Sequence, residues 1–189
     1  METVPLFEVA APVPAPVVEG EAPESPAPAF EVAVRGLPGP QGSKRHVGNG
    51  VMIESSAKVK PWRESVVWTA IAARQKIKGF TKLDEALVAD MVFCFDRPKG
   101  HMGTGRNAGL VRPSAPLRPD VTPDLSKLVR STEDALKTAG VYRDDALIVD
   151  YGQVGKWYTT DHGLVPGVLD GPGCTIRLWR IERPKAVDG

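Results

Sequence analysis

Beyond about residue 28, four segments are predicted to be β-strands, and in the first two of them apolar and polar residues alternate with the period of two that is typical of a strand with one buried face. The segments are FEVAVRG from Phe30, EALVADMVFCF up to Phe95, a stretch from about Ala146 to Tyr158, and CTIRLWRIE. In the first of them Phe30, Val32 and Val34 share a face. The tetrapeptide VMIE is a candidate for a further short strand.

Two segments carry apolar residues at the spacing of an α-helix. KPWRESVVWTAIAARQKI extends from Lys60 to Ile77, with a proline near its start, where a helix tolerates one. The second helix follows Asp124, and Gly140 is predicted to cap its end. Its predicted buried arc, about 120° wide, consists of Leu125, Leu128, Val129, Thr132, Ala135, Leu136 and Ala139. The order β-(β)-α-β-α-β-β predicts an α+β (mixed α/β) fold, a small mixed sheet with two main helices on it.

The composition divides the chain into a tail and one domain. Residues 1–28 hold five glutamates and neither lysine nor arginine, and seven of the 18 prolines lie within residues 1–30. Such a segment cannot bury enough side chain to offset its ordering entropy, so it is predicted to be a disordered tail. The globular domain is predicted to span residues 29–183, followed by a short C-terminal tail, residues 184–189.

The apolar content excludes some classes of protein. No run of about 18 apolar residues is present, so no membrane span is predicted, and no secretory signal is visible. Cys94 and Cys174 lie in apolar strand-like runs, and we expect buried free thiols in a reducing cytosol. The four tryptophans lie on predicted helices and strands and are expected in the core or in a dimer interface.

The net charge of +1 conceals a basic domain behind the acidic tail. Outside residues 1–28 the chain carries 24 basic and 18 acidic side chains, a net charge of +6. The long loop from Arg97 to Arg118 holds five Lys or Arg and no acid, which suits contacts with phosphate groups, although a solvated mobile loop would have a similar composition. The candidate DNA-binding residues are Lys44, Arg45, Arg97, Lys99, Arg106, Arg112 and Lys127.

Carboxylates flank the second helix, in the stretch PDLSKLVRSTEDALKTAGVYRDDALIVDY. Taken singly, Asp124 is a good helix N-cap and the pair Asp144 and Asp145 is a polar turn. Taken together, a helix that returns directly into a strand can bring both ends to one sheet edge. The carboxylates would then bind a hard cation such as Mg²⁺, and Arg130 would face a phosphate near the helix start.

The same stretch resembles the RusA family of Holliday junction resolvases, which typically reads Asp-x-Asp-Asn-x-x-Lys, then Asp-Ala-Leu, then an Asp-Asp pair opening a strand. GLPGPQGSKR and the loop RPKGHMGTGRNAG resemble family segments as well, so the likeness covers about residues 30–182. It implies a homodimeric, Mg²⁺-dependent endonuclease, with Mn²⁺ as a substitute, that cuts branched DNA such as four-way junctions. It also implies the cytoplasm of a bacterial or phage-infected cell.

The resemblance assigns roles by position. Asp124 matches the first metal-binding aspartate and Asp145 the late one, with Asp144 beside it as a further candidate ligand. Ser126 stands in place of the second early aspartate, and Arg130 in place of the lysine. Arginine keeps the positive charge but does not exchange protons near neutral pH. The catalytic candidates are Asp124, Asp145, Arg130 and Lys156, the last because the family also carries a lysine about one strand after the Asp-Asp pair.

Two other functions remain open from the sequence. One is a non-catalytic protein that binds branched DNA and has lost metal-site activity through the change at Ser126. The other is a metal-dependent phosphoesterase for small molecules, which a deep pocket would indicate. Convergent carboxylates favour the nuclease, because acids near a phosphate path repel DNA unless a cation lies between them.

Overall fold

The computed structural model of the protein describes residues 27–42, 44–46, 52–54 and 58–181, and it describes the side chains of residues 27–42 and 58–181. The predicted tails therefore lie almost entirely outside the described residues. So do the side chains of Lys44 and Arg45, two of the predicted DNA-binding residues.

Four strands form one mixed sheet. They are β1 (Phe30–Arg35), β4 (Leu87–Phe95), β5 (Ile148–Tyr158) and β6 (Gly173–Arg180), in the spatial order β1-β6-β4-β5. β4 and β5 are parallel, whereas β6 is antiparallel to both of its neighbours. β2 (Lys44–His46) and β3 (Met52–Glu54) form a separate antiparallel pair. β1 and β5 are thus the two edges of the main sheet.

Two helices cover one face of the sheet, as the sequence predicted. α1 (Val59–Lys76) packs against β1 and against α2 (Leu125–Thr138). Buried residues of both helices and of β1, β4 and β6 form the main core, against which partly buried residues of β5 pack. In this core Trp62 Nε1 donates a hydrogen bond of 3.1 Å to Thr132 Oγ1. A smaller cluster covers the other face and comprises Val92, Cys94, Trp157, Val168 and Leu169. The predicted α+β class is confirmed.

The ends of α2 depend on local chemistry. Gly140 follows the C-cap residue with a φ of +70°, a conformation that glycine adopts without strain, and its N–H donates to the carbonyl of Lys137 at 2.9 Å. At the other end Asp124 occupies the N-cap position, but its side chain makes no capping hydrogen bond. The buried arc also includes Ser131, which the sequence analysis had not placed there, because its hydroxyl donates to the carbonyl of Gly39 at 2.6 Å.

The glycine-proline segment after β1 lies against both helices. A Cβ on Gly39 would lie 2.2 Å from the carbonyl oxygen of Lys58, so only glycine fits this approach. The N–H of Gln41 donates to the carbonyl of Lys127 at 2.9 Å. The segment therefore fixes the position of the first turns of α2, where the acidic motif begins.

Several details differ from the sequence-based expectations. The strand predicted to begin at Ala146 begins at Ile148, because residues Asp145–Leu147 form a 3-10 turn closed by the hydrogen bond from the Leu147 N–H to the Asp144 carbonyl. Trp68 is 70% exposed on α1 and so is not a core residue.

Cys94 and Cys174 are buried free thiols, as predicted. Within the described residues, no helix combines the length and apolarity needed to cross a membrane.

Candidate functional site

An open groove of about 840 Å³ lies between α2 and β5. The two elements run antiparallel, because Tyr151 near the start of β5 contacts Glu133, whereas Lys156 near its end contacts the segment before α2. The groove is lined by Leu125, Ser126, Val129, Arg130, Glu133, Asp145, Tyr151 and Val154. It therefore combines an apolar floor with polar groups from the acidic motif.

One face of α2 supplies the polar wall of the groove. Ser126, Arg130, Glu133 and Lys137 are spaced four, three and four residues apart, which places them in one row along a helix. Arg130 is exposed, and within the described part of the chain its side chain makes no hydrogen bond or ion pair. The row thus leaves one cation free to bind an anion at the middle of the groove.

Near the C-terminus of α2, one ammonium group binds two carboxylates. Lys137 Nζ lies 2.7 Å from Asp144 Oδ2 and 3.0 Å from Asp145 Oδ1. Asp144 also accepts a hydrogen bond of 3.1 Å from the N–H of Ala146. The pKa of Asp144 is lowered to about 2. The main cause is the hydrogen bond from Lys137, and the second is the hydrogen bond from the Ala146 N–H. Asp144 and Asp145 therefore already share a cation, the lysine side chain.

Glu133 lies beside this end and was given no role by the sequence analysis. Its Oε1 accepts a hydrogen bond of 2.5 Å from the hydroxyl of Tyr151. Burial raises the pKa of Glu133, and the charge of Asp145 raises it further, although the Tyr151 bond acts in the opposite direction. The signal that could have identified it is its spacing, three residues after Arg130 and seven after Ser126.

The third acidic candidate, Asp124, directly precedes Leu125 and Ser126, which line the opposite end of the groove. Asp124 Oδ2 lies 2.8 Å from Lys127 Nζ, and Lys127 lowers the pKa of Asp124 with a smaller contribution from Lys156. Lys156 Nζ donates to the carbonyls of Val121 at 2.6 Å and Pro123 at 3.1 Å. Lys156 is thus held at the start of α2, with its charge directed towards Asp124.

The structure does not bring Asp124 and Asp145 together within one chain. The lysines that bind them, Lys127 and Lys137, are ten positions apart on α2, which is about 15 Å along the helix axis. Among the described residues, no three Asp, Glu, His or Cys side chains form a group that could hold a metal ion. Asp144 and Asp145 are brought together, whereas Asp124 stands apart with Ser126, Lys127 and Lys156.

The basic loop has more structure than its composition suggested. It contains two 3-10 turns, Lys99–His101 and Gly105–Asn107. The Arg97 side chain is only 5% exposed: its guanidinium lies 3.9 Å from the ring centroid of Tyr158, and it donates to the carbonyl of Pro116 at 2.8 Å. Arg97 therefore anchors the loop rather than facing solvent.

The other loop cations are more accessible. Arg112 is exposed, although its Nε donates to the carbonyl of Met102 at 2.7 Å. Lys99 and Arg106 are exposed and make no side-chain hydrogen bond or ion pair with any described residue. Arg118 packs over the ring of Trp157, 4.1 Å from its centroid. Lys99, Arg106 and Arg112 are thus the loop charges available to a ligand.

The donor chemistry of the groove fits a hard divalent cation. Mg²⁺ takes oxygen ligands, and Asp144 and Asp145 place two carboxylates around a point that the Lys137 ammonium now occupies. Asp124 offers a further carboxylate at the other end. An α+β domain that combines carboxylates in an open groove with an exposed basic loop has the features expected of a nuclease, a class of hydrolase.

Comparison with known families agrees with this class. The family model described as endodeoxyribonuclease RusA matches residues 36–165, which is more than half of the chain. The protein therefore belongs to the RusA endodeoxyribonuclease family, a family of endonucleases that resolve Holliday junctions. A search of curated proteins gave no significant match.

Proposed function

We propose that the protein is a Mg²⁺-dependent endodeoxyribonuclease that resolves Holliday junctions or other branched DNA by phosphodiester hydrolysis, in recombination or repair. Mn²⁺ would substitute for Mg²⁺. Family membership supports the reaction class. The observation that carries the assignment of the site is the pair of carboxylates, Asp144 and Asp145, on one cation, with Asp145 lining the same groove as the free Arg130.

Asp145 and Asp144 would hold the cation. Asp124 is proposed as the acidic group near the opposite end of the groove. When bound, such a cation activates water and stabilises the negative charge that develops on a phosphodiester. Mg²⁺ would have to displace the Lys137 ammonium from the two carboxylates. The displaced lysine would then be free to contact phosphate itself.

The remaining groove residues bind and orient the DNA. Arg130 presents a planar guanidinium that stays protonated, so its role is to bind the phosphate and not to transfer protons. Lys127 extends the positive charge at the start of α2, where the helix dipole also favours an anion. Lys156 holds the segment before Asp124 through two backbone carbonyls, so it acts as a positioning residue.

The basic loop is proposed as the surface that follows the DNA backbone. Lys99, Arg106 and Arg112 are exposed there. Lys44 and Arg45 are proposed as further DNA-binding residues on the basis of the sequence. Contacts of this kind fix the register of the duplex but carry no sequence information. Arg97 contributes by holding the loop in place.

The main competing function is binding of branched DNA without cleavage. Ser126 favours it, because this residue supplies no carboxylate where the family pattern has one. A phosphoesterase for small molecules is less well supported, because Ser126, Arg130 and Tyr151 line the groove and are all exposed, so the groove is open and suits a polymer.

The test is cleavage of a synthetic four-way junction with each strand labelled in turn, in Mg²⁺ and in EDTA. We expect paired nicks in Mg²⁺ and none in EDTA. Asp145→Asn keeps the size of the side chain but removes its charge, and it should lower the nicking rate at least about 100-fold, the scale expected when a group that stabilises the transition state is lost.

Asp170→Asn is the matched control, because Asp170 pairs with Arg35 at the opposite edge of the sheet. It should cleave at the wild-type rate. Junction binding by Asp145→Asn in Ca²⁺ should persist or tighten, because a charge that repels phosphate is gone. Cleavage by Asp145→Asn at the wild-type rate in Mg²⁺ would refute the assignment of the site.

A further inference from the structure

The segment of residues 116–123, which leads from the basic loop into α2, is fixed at its start by two arginines. Arg97 donates a hydrogen bond of 2.8 Å to the carbonyl of Pro116. Arg118 Nη1 donates to the carbonyl of Lys156 at 3.1 Å. Because Lys156 belongs to β5, these contacts tie the start of the segment to the main sheet.

Lys156 also fixes the other end of the segment. Its Nζ donates to the carbonyls of Val121 at 2.6 Å and Pro123 at 3.1 Å. Pro119, in the middle of the segment, is buried. The backbone is therefore held along its length, directly before Asp124.

Two apolar side chains of this fixed segment nevertheless face solvent. Leu117 is 87% exposed, more than any other large apolar side chain among the described residues, and Val121 is 66% exposed. Single exposed apolar side chains are common on protein surfaces. Here two of them lie in one short segment, and the backbone is held on both sides of each. The protein thus presents both side chains to solvent in a defined position.

The surroundings of the two apolar side chains are mainly basic. The loop from Arg97 to Arg118 holds five Lys or Arg and no acid, and Asp120 is the one acidic residue of the segment. Arg112 and Arg118 are both exposed. An apolar projection on a basic surface suits proteins that insert a side chain between base pairs while cations bind the flanking phosphates.

We propose that Leu117, together with Val121, is an apolar wedge that inserts at the branch point of a DNA junction and packs against the bases there. This inference rests on the proposed nuclease function and names the residues that distinguish branched DNA from a linear duplex. Insertion between stacked bases costs the free energy of stacking, and this cost is smallest where the stack is already interrupted. The wedge therefore favours a branch point over a continuous duplex.

The first experiment compares binding to branched and linear DNA. The Kd of the full chain is measured by fluorescence anisotropy in Ca²⁺, with a four-way junction and with a linear duplex of the same arm sequence. Leu117→Ser should raise the Kd for the junction at least about tenfold, because the apolar contact with the bases is lost. It should change the Kd for the duplex by less than about twofold, since the phosphate contacts remain.

Two further variants separate the apolar contact from other effects of substitution. Leu117→Met keeps an apolar side chain of similar volume and should bind the junction within about threefold of the wild type. Leu164→Ser is the matched control, because Leu164 is 81% exposed but lies within residues 158–176, which contain two aspartates and neither lysine nor arginine. It should leave both Kd values unchanged.

The outcomes of this experiment decide the proposal. Both leucines are exposed, so circular dichroism melts should show that all variants are as stable as the wild type. A junction Kd of Leu117→Ser equal to that of the wild type would overturn the proposal. So would an equal loss of affinity for junction and duplex, because that result indicates a contact with DNA in general.

The second experiment detects the unstacked bases directly. The fluorescence of 2-aminopurine rises when the base loses its stacked neighbours. Saturating wild-type protein should raise the fluorescence of this base at the branch point but not in the middle of an arm. Leu117→Ser at saturation should abolish the rise, and Leu117→Met should retain it. A rise as large with Leu117→Ser as with the wild type would show that the leucine does not unstack the bases.

Failure of the wedge and failure of the nuclease function give different results. A wild-type protein that unstacks the branch point but cuts no strand in Mg²⁺ would refute the proposed nuclease function and leave the wedge in place. A wild-type protein that binds the junction no more tightly than the duplex would refute the wedge, whether or not it cuts.

Discussion

At the scale of single residues, two lysines of α2 form ion pairs with the aspartates of the acidic motif. Lys127 binds Asp124, and Lys137 binds Asp144 and Asp145 together. These pairs are exposed, so their contribution to stability is modest and screened by salt. Lys127 lowers the pKa of Asp124, and Lys137 lowers the pKa of Asp144, because a nearby ammonium group favours the charged carboxylate.

Lys137→Met should therefore raise the pKa of Asp144 from about 2 towards its ordinary value of 3.8. Because the folded-state pKa of Asp144 lies below its unfolded value, the stabilising effect is present above about pH 4 and is lost as the pH falls towards 2. The variant should lack this part of the pH dependence. Carboxyl ¹³C NMR titration of metal-free protein measures the shift.

Lys127→Met is the matched control, since Lys127 binds Asp124 at the far end of the groove. It should leave the titration of Asp144 unchanged. An Asp144 pKa that stays near 2 in Lys137→Met would mean that the Ala146 N–H, and not the lysine, holds it there.

At the scale of elements, the basic loop divides into an anchor and a ligand-facing part. Arg97 is buried between Tyr158 and the carbonyl of Pro116, whereas Arg106 is exposed and has no partner among the described residues. Both residues are arginines of one loop with the same formal charge. Substitution of each one by the same residue can therefore separate loop structure from DNA contact.

Arg97→Gln should lower the free energy of unfolding by about 1–3 kcal/mol, because it removes a stacked cation and a buried hydrogen bond. Arg106→Gln should leave stability unchanged, weaken junction binding and reduce the salt slope of binding by about one. Urea unfolding and binding at several salt concentrations check the two outcomes. Equal stability of the two variants would contradict the anchoring role of Arg97.

The helices and strands could be predicted because the spacing of apolar residues that indicates them is local in the sequence. Alternation over Phe30, Val32 and Val34 and the helical arc of α2 follow from the side-chain periods of strand and helix. The anchoring of Arg97 was not predictable, because it depends on Tyr158, which is distant in sequence and reaches the loop through the pairing of β4 with β5. The composition predicted the charge of the loop but not its conformation.

The sequence named some residues of the candidate groove but not the distance between them. Asp124, Arg130 and Asp145 follow from the acidic motif, and Arg130 and Asp145 do line one groove. The expectation that both ends of α2 meet on one sheet edge did not allow for the length of the helix, since 14 residues separate its ends by about 20 Å. Glu133 was overlooked because its partner Tyr151 lies on a separate strand.

At the scale of the whole molecule, the described contacts of the domain begin where the acidic tail ends in the sequence. The first described contact with the sheet is made by Ala29, whose N–H donates to the carbonyl of Leu178 at 2.8 Å, and the buried core begins at Phe30. The proposed catalytic residues all lie beyond residue 123. The composition of residues 1–28 predicts no contribution to a core, because prolines and glutamates bury little apolar surface.

Deletion of residues 1–28 should therefore leave the melting temperature nearly unchanged and the rate of junction nicking within about twofold of the full chain. Removal of five negative charges also raises the net charge from +1 to +6, so DNA association at low salt should be somewhat faster, and this difference should vanish at high salt. Thermal melts and nicking assays at two salt concentrations measure both effects. A fall of more than about 4 °C, equivalent to about 1 kcal/mol for a domain of this size, would instead place the tail in the core or in the dimer.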